Sequence, residues 1–410
     1  MPADRRTFVI VGASLAGASA AATLREEGFD GRLILIGDEE VPPYERPGLS
    51  KTYLRGETTG ASLTIRPPGW FEEQQIEPWF GRRVTELDAP RHTLELTGGE
   101  HLSYDAALIA TGARNRRLDV PGADLAGVFQ LRTLDDANRI RAAALAVERA
   151  VVVGMGFIGA EVAASLRQMG LDVTVLEALP GPLYRVLGPE ISGALRSLHE
   201  EHGVRMRFDD AVARFEGDGS LSAVTTTKGQ VIEAGFAVVG VGTTPNAELM
   251  GGFGIAGNGG IAVGPTLETG HPDVFAAGDV ATHDHRLFGP IRVEHFDNAI
   301  RMGESAARNM LGAGAVYEDP HWFWSDQYTA QIQMAGFAPE WSKMVVRGSL
   351  SARSFCAFQL DDEGIVIGAV SMDWPRDVRR SFGLITKQVA PAPQALEDPD
   401  VDIRELIPPD

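Results

Sequence analysis

The 410-residue sequence contains a single cysteine, Cys356. One thiol cannot form an intramolecular disulfide, a CxxC redox pair or a cysteine-rich metal site. Any redox chemistry within this chain therefore does not pass through a dithiol. Cys356 lies in the alternating stretch SFCAFQL, which favours a small buried hydrophobic residue on a strand.

Positive net charge and long apolar runs are also lacking. The 37 Lys and Arg residues against 56 Asp and Glu give a formal net charge of −19, which disfavours nucleic acid and anionic membranes because phosphate binding relies on clustered cations. No uninterrupted apolar run of about 18 residues occurs, and the first residues lack the apolar segment of a secretory signal. We expect a soluble, cytoplasmic protein that binds neither nucleic acid nor a membrane.

Two stretches of the sequence nearly repeat each other. VIVGASLAGASAA begins at Val9 and VVVGMGFIGAEVA begins at Val151, about 140 residues later. Each indicates a strand, a glycine turn and a helix of small residues, followed by a second strand that ends in acidic residues. A lone G-x-G-x-x-G would be weak evidence, but two in a full βαβ context predict two dinucleotide-binding units.

The glycines of these turns have separate roles. The first makes the tight turn, the second lets the backbone approach a pyrophosphate, and the third lets helix and strand pack closely. The second repeat has all three, Gly154, Gly156 and Gly159. The first repeat has Gly12 and Gly17 but places Ser14 in the middle, where its Cβ would crowd the pyrophosphate and its hydroxyl could donate to a phosphate oxygen. The alternative is that the first repeat is only a structural Rossmann half.

Acidic residues follow the second strand of each unit. These are Asp38 and Glu39 in the first unit and Glu177 in the second. A carboxylate at this position hydrogen-bonds the ribose hydroxyls and repels a 2′-phosphate. Glu177 therefore favours NADH over NADPH.

Two further apolar strands end in residues suited to a nucleotide site. YDAALIATGA ends in Thr111-Gly112-Ala113, and DVFAAGDVA contains Gly278-Asp279. Asp279 is placed where it can accept a hydrogen bond from a ribityl or ribose hydroxyl, and the alternative is an Asp that caps a loop. After Tyr317, short alternating stretches with aromatic residues predict an antiparallel sheet in a third domain.

Taken together, these features resemble the FAD-dependent NAD(P)H:ferredoxin reductases of oxygenase systems over nearly the whole chain. The most specific elements are PPYERPGLSK, GMGFIGAE, AAGDVA and HWFWSDQ. The family has Pro-Pro where this chain has Pro47-Gly48, and glycine where it has Ser14. The resemblance implies an α/β fold with two Rossmann-like, glutathione-reductase-like domains for FAD and NAD, and a C-terminal α+β domain with an antiparallel sheet. It also implies an FAD domain at 1–116 and 245–316, an inserted NAD domain at 117–244 and the C-terminal domain at 317–410.

The resemblance implies hydride transfer from NADH to FAD and then single-electron transfer to a small 2Fe-2S or 3Fe-4S ferredoxin, which supplies a cytochrome P450 or a ring-hydroxylating dioxygenase. It pairs Lys51 with Glu161 beside the flavin, where a carboxylate keeps a buried ammonium charged. The plain alternative for Glu161 is a first-turn carboxylate favoured by its helix dipole. Trp324 is implied to lie near the flavin edge, whereas Trp322 is better interpreted as a core aromatic residue.

The resemblance assigns the remaining site residues by cofactor. For FAD they are Gly12, Ser14, Ala16, Gly17, Asp38, Glu39, Arg46, Lys51, Val84, Thr111, Gly112, Arg132, Gly278, Asp279 and Phe296. For NAD they are Gly154, Gly156, Ile158, Gly159, Glu177 and Gly242. Arg46 and Arg132 have an alternative as ordinary surface cations. No metal site is predicted.

Two other functions stay open from the sequence. One is a reductase for rubredoxin or a small-molecule acceptor on the same scaffold. The other is a redox-responsive NADH-binding flavoprotein with little turnover. The predicted oligomeric state is a monomer or a weak homodimer.

Overall fold

The structure of the chain, a computed structural model, describes residues 4–409. They divide into two compact units. The first unit comprises the residues up to Glu45, Leu63–Arg114 and Thr244–Asp319. The second comprises Arg46–Ser62, Asn115–Thr243 and the residues from Pro320 onward. The three predicted domain ranges stay a prediction.

The described residues form 26 strands and nine α-helices. The strands β1 to β26 are, in chain order, Thr7–Val11, Arg32–Ile36, Ile76–Trp79, Val84–Asp88, Thr93–Leu96, Glu100–Ser103, Ala106–Ile109, Ala113–Asn115, Val128–Phe129, Arg149–Val153, Asp172–Leu176, Arg205–Arg207, Val212–Gly217, Leu221–Thr226, Val231–Glu233, Phe236–Val239, Thr243–Pro245, Ile261–Val263, Val274–Ala276, Ala281–His285, Gly289–Ile291, Trp322–Gln327, Ala330–Gly336, Lys343–Ser349, Ser354–Leu360 and Val366–Met372. The helices α1 to α9 are Leu15–Glu26, Thr52–Arg55, Trp70–Glu73, Leu134–Ala146, Phe157–Gln168, Tyr184–Glu201, Phe296–Met310, Pro375–Thr386 and Pro393–Glu397. None of the helices within residues 4–409 is both long enough and apolar enough to cross a membrane.

The first unit is built on a five-stranded parallel sheet in the order β19-β7-β1-β2-β3. Its central strands read as continuous apolar runs, such as FVIV in β1, and are buried because a parallel sheet is covered on both faces. β1 lies between β7 and β2, so the strand order reverses beside it. In open α/β sheets a ligand binds outside the carboxyl ends of the strands at such a point. The predicted β1–α1–β2 unit is confirmed.

The second unit contains a matching parallel sheet and an antiparallel one. The parallel sheet has the order β12-β11-β10-β16-β9, with β10 at its reversal point. The antiparallel sheet has the order β22-β23-β26-β25-β24 and confirms the antiparallel sheet predicted after Tyr317. Cys356 lies fully buried on β25, as predicted, and burial raises the pKa of its thiol.

The C-terminal tail, residues 390–409, is rich in proline and acidic residues and is tied to the antiparallel sheet by a buried arginine that sequence analysis missed. Arg347 on β24 is 1% exposed and donates to the carbonyl oxygens of Ala395, Leu396 and Val401 at 2.8 to 3.0 Å. Its guanidinium also pairs with the buried carboxylate of Asp377 at 3.1 Å. The guanidinium therefore gives the tail carbonyls the donors that water would otherwise supply.

Replacing Arg347 with leucine is expected to lower the free energy of unfolding by about 4 kcal/mol, because Asp377 and three carbonyl oxygens would lose a buried donor. Equilibrium urea unfolding measures the change, and limited proteolysis should show early cleavage of the tail. Arg376 is the control, since it contacts Asp377 at 3.3 Å from a 60% exposed position. Arg376→Leu should cost about 0.5 kcal/mol or less, and equal losses for both variants would contradict this account.

Candidate functional site: two glycine turns and a buried ion pair

The two glycine turns have the same backbone geometry. Gly12 and Gly154 both have positive φ, +119° and +90°. The Gly12 N–H donates to the carbonyl of Ile36, and the Gly154 N–H donates to that of Leu176, each at 2.8 Å. The repeat seen in the sequence is thus a repeat in three dimensions.

The third glycine of each turn lets the helix pack closely on the strand end. A Cβ added to Gly17 would lie 1.9 Å from the Gly12 carbonyl oxygen, and one added to Gly159 would lie 2.0 Å from that of Gly154. No side chain fits at such distances, because the obstacle is backbone. Close packing is therefore required at both positions, as the fingerprint predicts.

The middle position differs between the turns in its space for a ligand. Gly156 is the N-cap of α5, and a Cβ added there would meet no protein atom within 4 Å. Ser14 is the N-cap of α1 in a similar extended conformation. The first turns of both helices hold only uncharged residues, so their N–H groups and helix dipoles favour an anion. An open space at the Gly156 position and uncharged helix starts fit the pyrophosphate of a dinucleotide.

Ser14→Gly is expected to slow the loss of bound FAD by about threefold to tenfold, because it removes the Cβ from the phosphate approach. The rate is measured from flavin fluorescence after dilution. The backbone of Ser14 is extended, with φ of −108°, so glycine relieves no strain there and should cost up to about 1 kcal/mol of stability. Faster loss of FAD would show instead that the Ser14 hydroxyl donates to a phosphate oxygen.

Several predicted FAD residues of the first unit follow the carboxyl ends of strands in its parallel sheet. Gly278 and Asp279 follow β19, and a Cβ added to Gly278 would lie 3.0 Å from the Cβ of Ala16 on α1. Asn246 holds the segment that follows β7, because its side-chain amide donates a hydrogen bond to the Thr111 carbonyl oxygen at 2.9 Å. The fold thus brings Gly278, the residue before Asp279, beside the start of α1, although they lie far apart in sequence.

The acidic residues after β2 have different environments. Asp38 is exposed and lies 4.0 Å from the guanidinium of Arg83. Glu39 is half-buried and accepts a hydrogen bond from the Tyr44 hydroxyl at 2.6 Å. Asp38 or Glu39 stays the predicted partner of the adenosine ribose, and its exposure makes Asp38 the more accessible of the two.

Other predicted FAD residues occupy varied positions. Val84 is buried in the core of the first unit on β4, and Phe296 begins α7 in a half-buried position. In the second unit, Arg46 donates to the carbonyl oxygen of Arg132 at 2.5 Å. Arg132 precedes the capping box of α4, where its N–H donates to Asp136 at 3.0 Å. The two arginines are thus neighbours, and their roles towards FAD stay a prediction.

Glu177 in the second unit has a structural role that sequence analysis missed. Its carboxylate accepts hydrogen bonds from the N–H groups of Met155 at 2.6 Å and Leu179 at 2.8 Å. It therefore holds the glycine loop in place, and each carboxylate oxygen keeps a lone pair for a ribose hydroxyl. Two other predicted NAD residues are exposed: Ile158 is 46% exposed on the first turn of α5, and Gly242 lies after β16 with φ of +99°.

The Lys51–Glu161 ion pair is present. The Lys51 ammonium nitrogen lies 3.0 Å from Glu161 Oε1, and the Glu161 side chain is only 4% exposed. Glu161 is the fifth residue of α5, beyond its first turn, so the alternative of a first-turn carboxylate is wrong. The pair consists of opposite charges held largely away from water, where each needs the other.

Two serines complete the Glu161 environment, and neither was singled out from the sequence. Ser50 donates to Glu161 Oε2 at 2.5 Å, and Ser325 donates to Oε1 at 2.6 Å. The Ser165 hydroxyl on α5 holds Ser50 in place, because it donates a hydrogen bond to the Ser50 carbonyl oxygen at 2.6 Å. The available signal was the phase of β22, since Ser325 lies on its buried side.

The two tryptophans lie together on the other side of β22. Trp322 and Trp324 stack with ring centroids 5.3 Å apart and planes 21° apart, and both are half-buried. The Trp324 indole N–H donates to Asp326 at 3.1 Å. The interpretation of Trp322 as a core aromatic residue is therefore wrong: alternation places Phe323 in the core instead.

Each of the two parallel sheets has a central strand followed by a glycine turn, and the two turns have the same geometry. Together with the Lys51–Glu161 pair, these turns define an oxidoreductase with two dinucleotide-binding folds. The chain belongs to the pyridine nucleotide-disulphide oxidoreductase family, whose pattern matches residues 6–303. Residues 322–407 match the reductase C-terminal family. Members of this class are FAD- and NAD(H)-dependent. With Cys356 alone, this member has no internal disulfide to reduce.

The sequences of known relatives align with nearly the whole chain. Rhodocoxin reductase of Rhodococcus erythropolis is 38% identical over 403 residues, which cover 98% of this chain and 94% of the relative. The biphenyl dioxygenase system ferredoxin–NAD(+) reductase component of Paraburkholderia xenovorans is 36% identical over 402 residues, covering 98% of each chain.

Two solved structures share the fold throughout. The reductase in the covalent putidaredoxin reductase–putidaredoxin complex has a TM-score of 0.94 at 34% identity, covering 98% of each chain. The ferredoxin reductase for the CYP199A2 system from Rhodopseudomonas palustris also has a TM-score of 0.94, at 35% identity, covering 98% of this chain and all of the other. The predicted fold class and the predicted family are thereby confirmed.

Proposed function

We propose that this chain is an NADH-dependent ferredoxin reductase that supplies electrons to a cytochrome P450 or a ring-hydroxylating dioxygenase. The balanced reaction is NADH plus two oxidised ferredoxins to NAD⁺, one proton and two reduced ferredoxins. The observation that carries the proposal is the buried Lys51–Glu161 pair in a chain with two dinucleotide turns. The relatives named as ferredoxin reductases support the acceptor class.

The site residues suit the two dinucleotides named in the proposal. The α1 turn and Asp279 would hold FAD, and the α5 turn and Glu177 would hold NADH. Bound FAD supplies the chemistry that links a two-electron donor to a one-electron acceptor. The protein supplies position and charge: Lys51 provides a fixed positive charge, and Glu161 holds that charge in one place.

The outlet for electrons must lie outside the chain. Cys356 is fully buried and has no second thiol, so electrons cannot leave through a dithiol. The stacked tryptophans on β22 are the proposed exit region because both reach the surface. A small iron–sulfur protein of the 2Fe-2S or 3Fe-4S type is the proposed partner.

The test is a panel of acceptors offered to the purified yellow protein with NADH. We expect slow NADH oxidation by the protein alone and fast oxidation after a cognate ferredoxin is added. Stopped-flow absorbance separates flavin reduction from its reoxidation by each acceptor. If no iron–sulfur protein outpaces rubredoxin or a simple dye, the ferredoxin assignment is wrong. A reduced flavin that persists with every acceptor would instead indicate a redox-responsive binding protein.

Glu177→Gln is expected to raise the ratio of kcat/KM for NADPH to that for NADH by about tenfold, because a neutral amide no longer repels a 2′-phosphate. The amide oxygen can still accept one of the two loop N–H bonds. Glu233→Gln is the matched control, since it removes an exposed carboxylate of the same unit that pairs with Arg149. An equal shift in both variants would mean that net charge, not the Glu177 position, decides the preference.

The cytoplasmic location and the monomeric or weakly dimeric state stay predictions. Sedimentation at several concentrations measures the second. The acidic surface, with a net charge of −19, favours separated copies at low salt because like charges repel.

A further inference from the structure

A buried chain of hydrogen bonds leads away from the ion pair. Ser325 Oγ contacts Glu161 Oε1 at 2.6 Å, and Gln327 Nε2 contacts Ser325 Oγ at 3.3 Å. Gln327 Oε1 lies 2.9 Å from Nε2 of His199 on α6, and His199 Nδ1 lies 3.2 Å from the Tyr328 hydroxyl. Ser325, Gln327 and His199 are 0% exposed. These residues are fully shielded from water, so each must find its partner in the protein.

The direction of each hydrogen bond in this chain follows from which groups carry a hydrogen. Burial lowers the pKa of His199 to about 4 and raises the pKa of Tyr328, so His199 is neutral and Tyr328 keeps its proton. The Gln327 amide nitrogen faces Ser325 and its carbonyl oxygen faces His199 Nε2. Because an amide oxygen only accepts, the single imidazole hydrogen lies on Nε2, and Nδ1 accepts from the Tyr328 hydroxyl.

Ser325 has one hydrogen to donate and two possible acceptors. Because the Gln327 amide nitrogen donates to Ser325 Oγ, the serine hydrogen is directed to Glu161. If the Gln327 amide were turned over, its oxygen would face Ser325 and take that hydrogen instead. Glu161 would then keep Ser50 and Lys51 but lose a hydrogen bond to its negative charge, the stronger class of hydrogen bond.

We propose that His199 is a positioning residue: its Nε2 hydrogen fixes the Gln327 amide, directs the Ser325 hydroxyl to Glu161 and so keeps the Glu161 carboxylate paired with Lys51. The effect on electron transfer rests on the proposed function, whereas the effect on Glu161 does not. His199 lies outside the residues assigned to either cofactor and acts on the ion pair through two intermediate side chains.

The direct test is infrared spectroscopy of the flavin-loaded protein, which detects the stretching bands of buried carboxylates and is sensitive to their hydrogen bonds. His199→Phe removes both ring nitrogens and should shift one carboxylate band relative to the unaltered protein. Combining it with Glu161→Gln should remove the shifted band and thereby assign it to Glu161. His199→Gln, whose amide can again donate to Gln327, should restore the spectrum of the unaltered protein.

The control variant is His202→Gln on the same helix. His202 stacks on Tyr328 with ring centroids 3.6 Å apart, and its Nδ1 contacts the Leu198 carbonyl oxygen rather than the Gln327 chain. His202→Gln should leave the carboxylate band of Glu161 unshifted. If His199→Phe does not fold, Gln327→Met interrupts the hydrogen-bond chain one residue later with a similar volume and should give the same shift of the Glu161 carboxylate band.

The second readout is the rate at which NADH reduces the flavin. His199→Phe should slow it about tenfold, the effect of losing one hydrogen bond to a charged group. In a Glu161→Gln background the same substitution should change the rate by less than about twofold, because its route of action is gone. Equal slowing in both backgrounds, or a Glu161 carboxylate band that does not shift in His199→Phe, would overturn the proposal. If NADH reduces the flavin of the unaltered protein but that flavin reduces no ferredoxin, the proposed function is overturned. The infrared test of His199 remains valid in that case.

Discussion

Lys51→Met is expected to slow reduction of the bound flavin by NADH about 100-fold, as removal of a single electrostatic contact in an active site commonly does. The substitution keeps the length of the side chain and removes its charge. It also leaves the Glu161 carboxylate buried with only the two serine donors. Stopped-flow absorbance of the flavin measures the rate.

The same substitution should lower the free energy of unfolding by about 3 kcal/mol, because one partner of a buried pair is left alone. Adding Glu161→Gln to Lys51→Met removes the stranded charge and should restore most of the lost stability while activity stays low. This opposite response of stability and rate separates the proposed catalytic role of Lys51 from its structural role. Lys51→Met protein that is reduced at the rate of the unaltered chain would refute that catalytic role.

Gly159→Ala and Gly156→Ala are expected to act in different ways, although both lie in one turn. A Cβ at position 159 would meet the Gly154 carbonyl oxygen at 2.0 Å, whereas one at position 156 meets no protein atom within 4 Å. Gly159→Ala should therefore destabilise the second unit by about 3 kcal/mol. Gly156→Ala should leave stability within about 1 kcal/mol and raise KM for NADH about tenfold, because its methyl group enters the pyrophosphate space.

Urea unfolding and steady-state kinetics with NADH measure the two effects. Gly170→Ala is a matched control at the end of the same helix, where an added Cβ meets no atom but φ is +93°. It should cost about 1 kcal/mol through backbone strain and leave KM unchanged. If Gly156→Ala lowers stability but not NADH affinity, the α5 turn is not the NADH site.

Most of the fold could be predicted because its signals are local. The strands around Val9 and Val151 are short apolar runs next to glycine turns, and the period of the small residues marks each following helix. The alternation in HWFWSDQ likewise predicts β22, and it indicates which side chains face the core once the phase is known. Trp322 was misplaced because its size suggested burial, while the phase of the strand puts Phe323 inside.

The environment of Glu161 could be predicted only in part. The resemblance implied Lys51, but Ser50 and His199 carry no local signal, and the phase of β22 indicates only that Ser325 is buried. Serine and histidine are common, and the partners of these three residues lie more than 100 residues away. Arg347 was missed for the same reason, since an arginine in an alternating strand is usually exposed. Its acceptors are carbonyl oxygens of a tail whose path depends on the finished sheet.

By itself, the sequence determined the two glycine turns, the identity of their neighbouring strands and helices, the absence of a dithiol and the acidic charge. These follow from residue type and spacing along the chain, because backbone preference and hydrophobic period act over a few residues. The tertiary structure alone decided which hydroxyls face Glu161, which way the Gln327 amide points and where the tail is anchored. Those contacts join residues distant in sequence, and a hydrogen bond forms only when both partners are brought within about 3 Å in the right orientation.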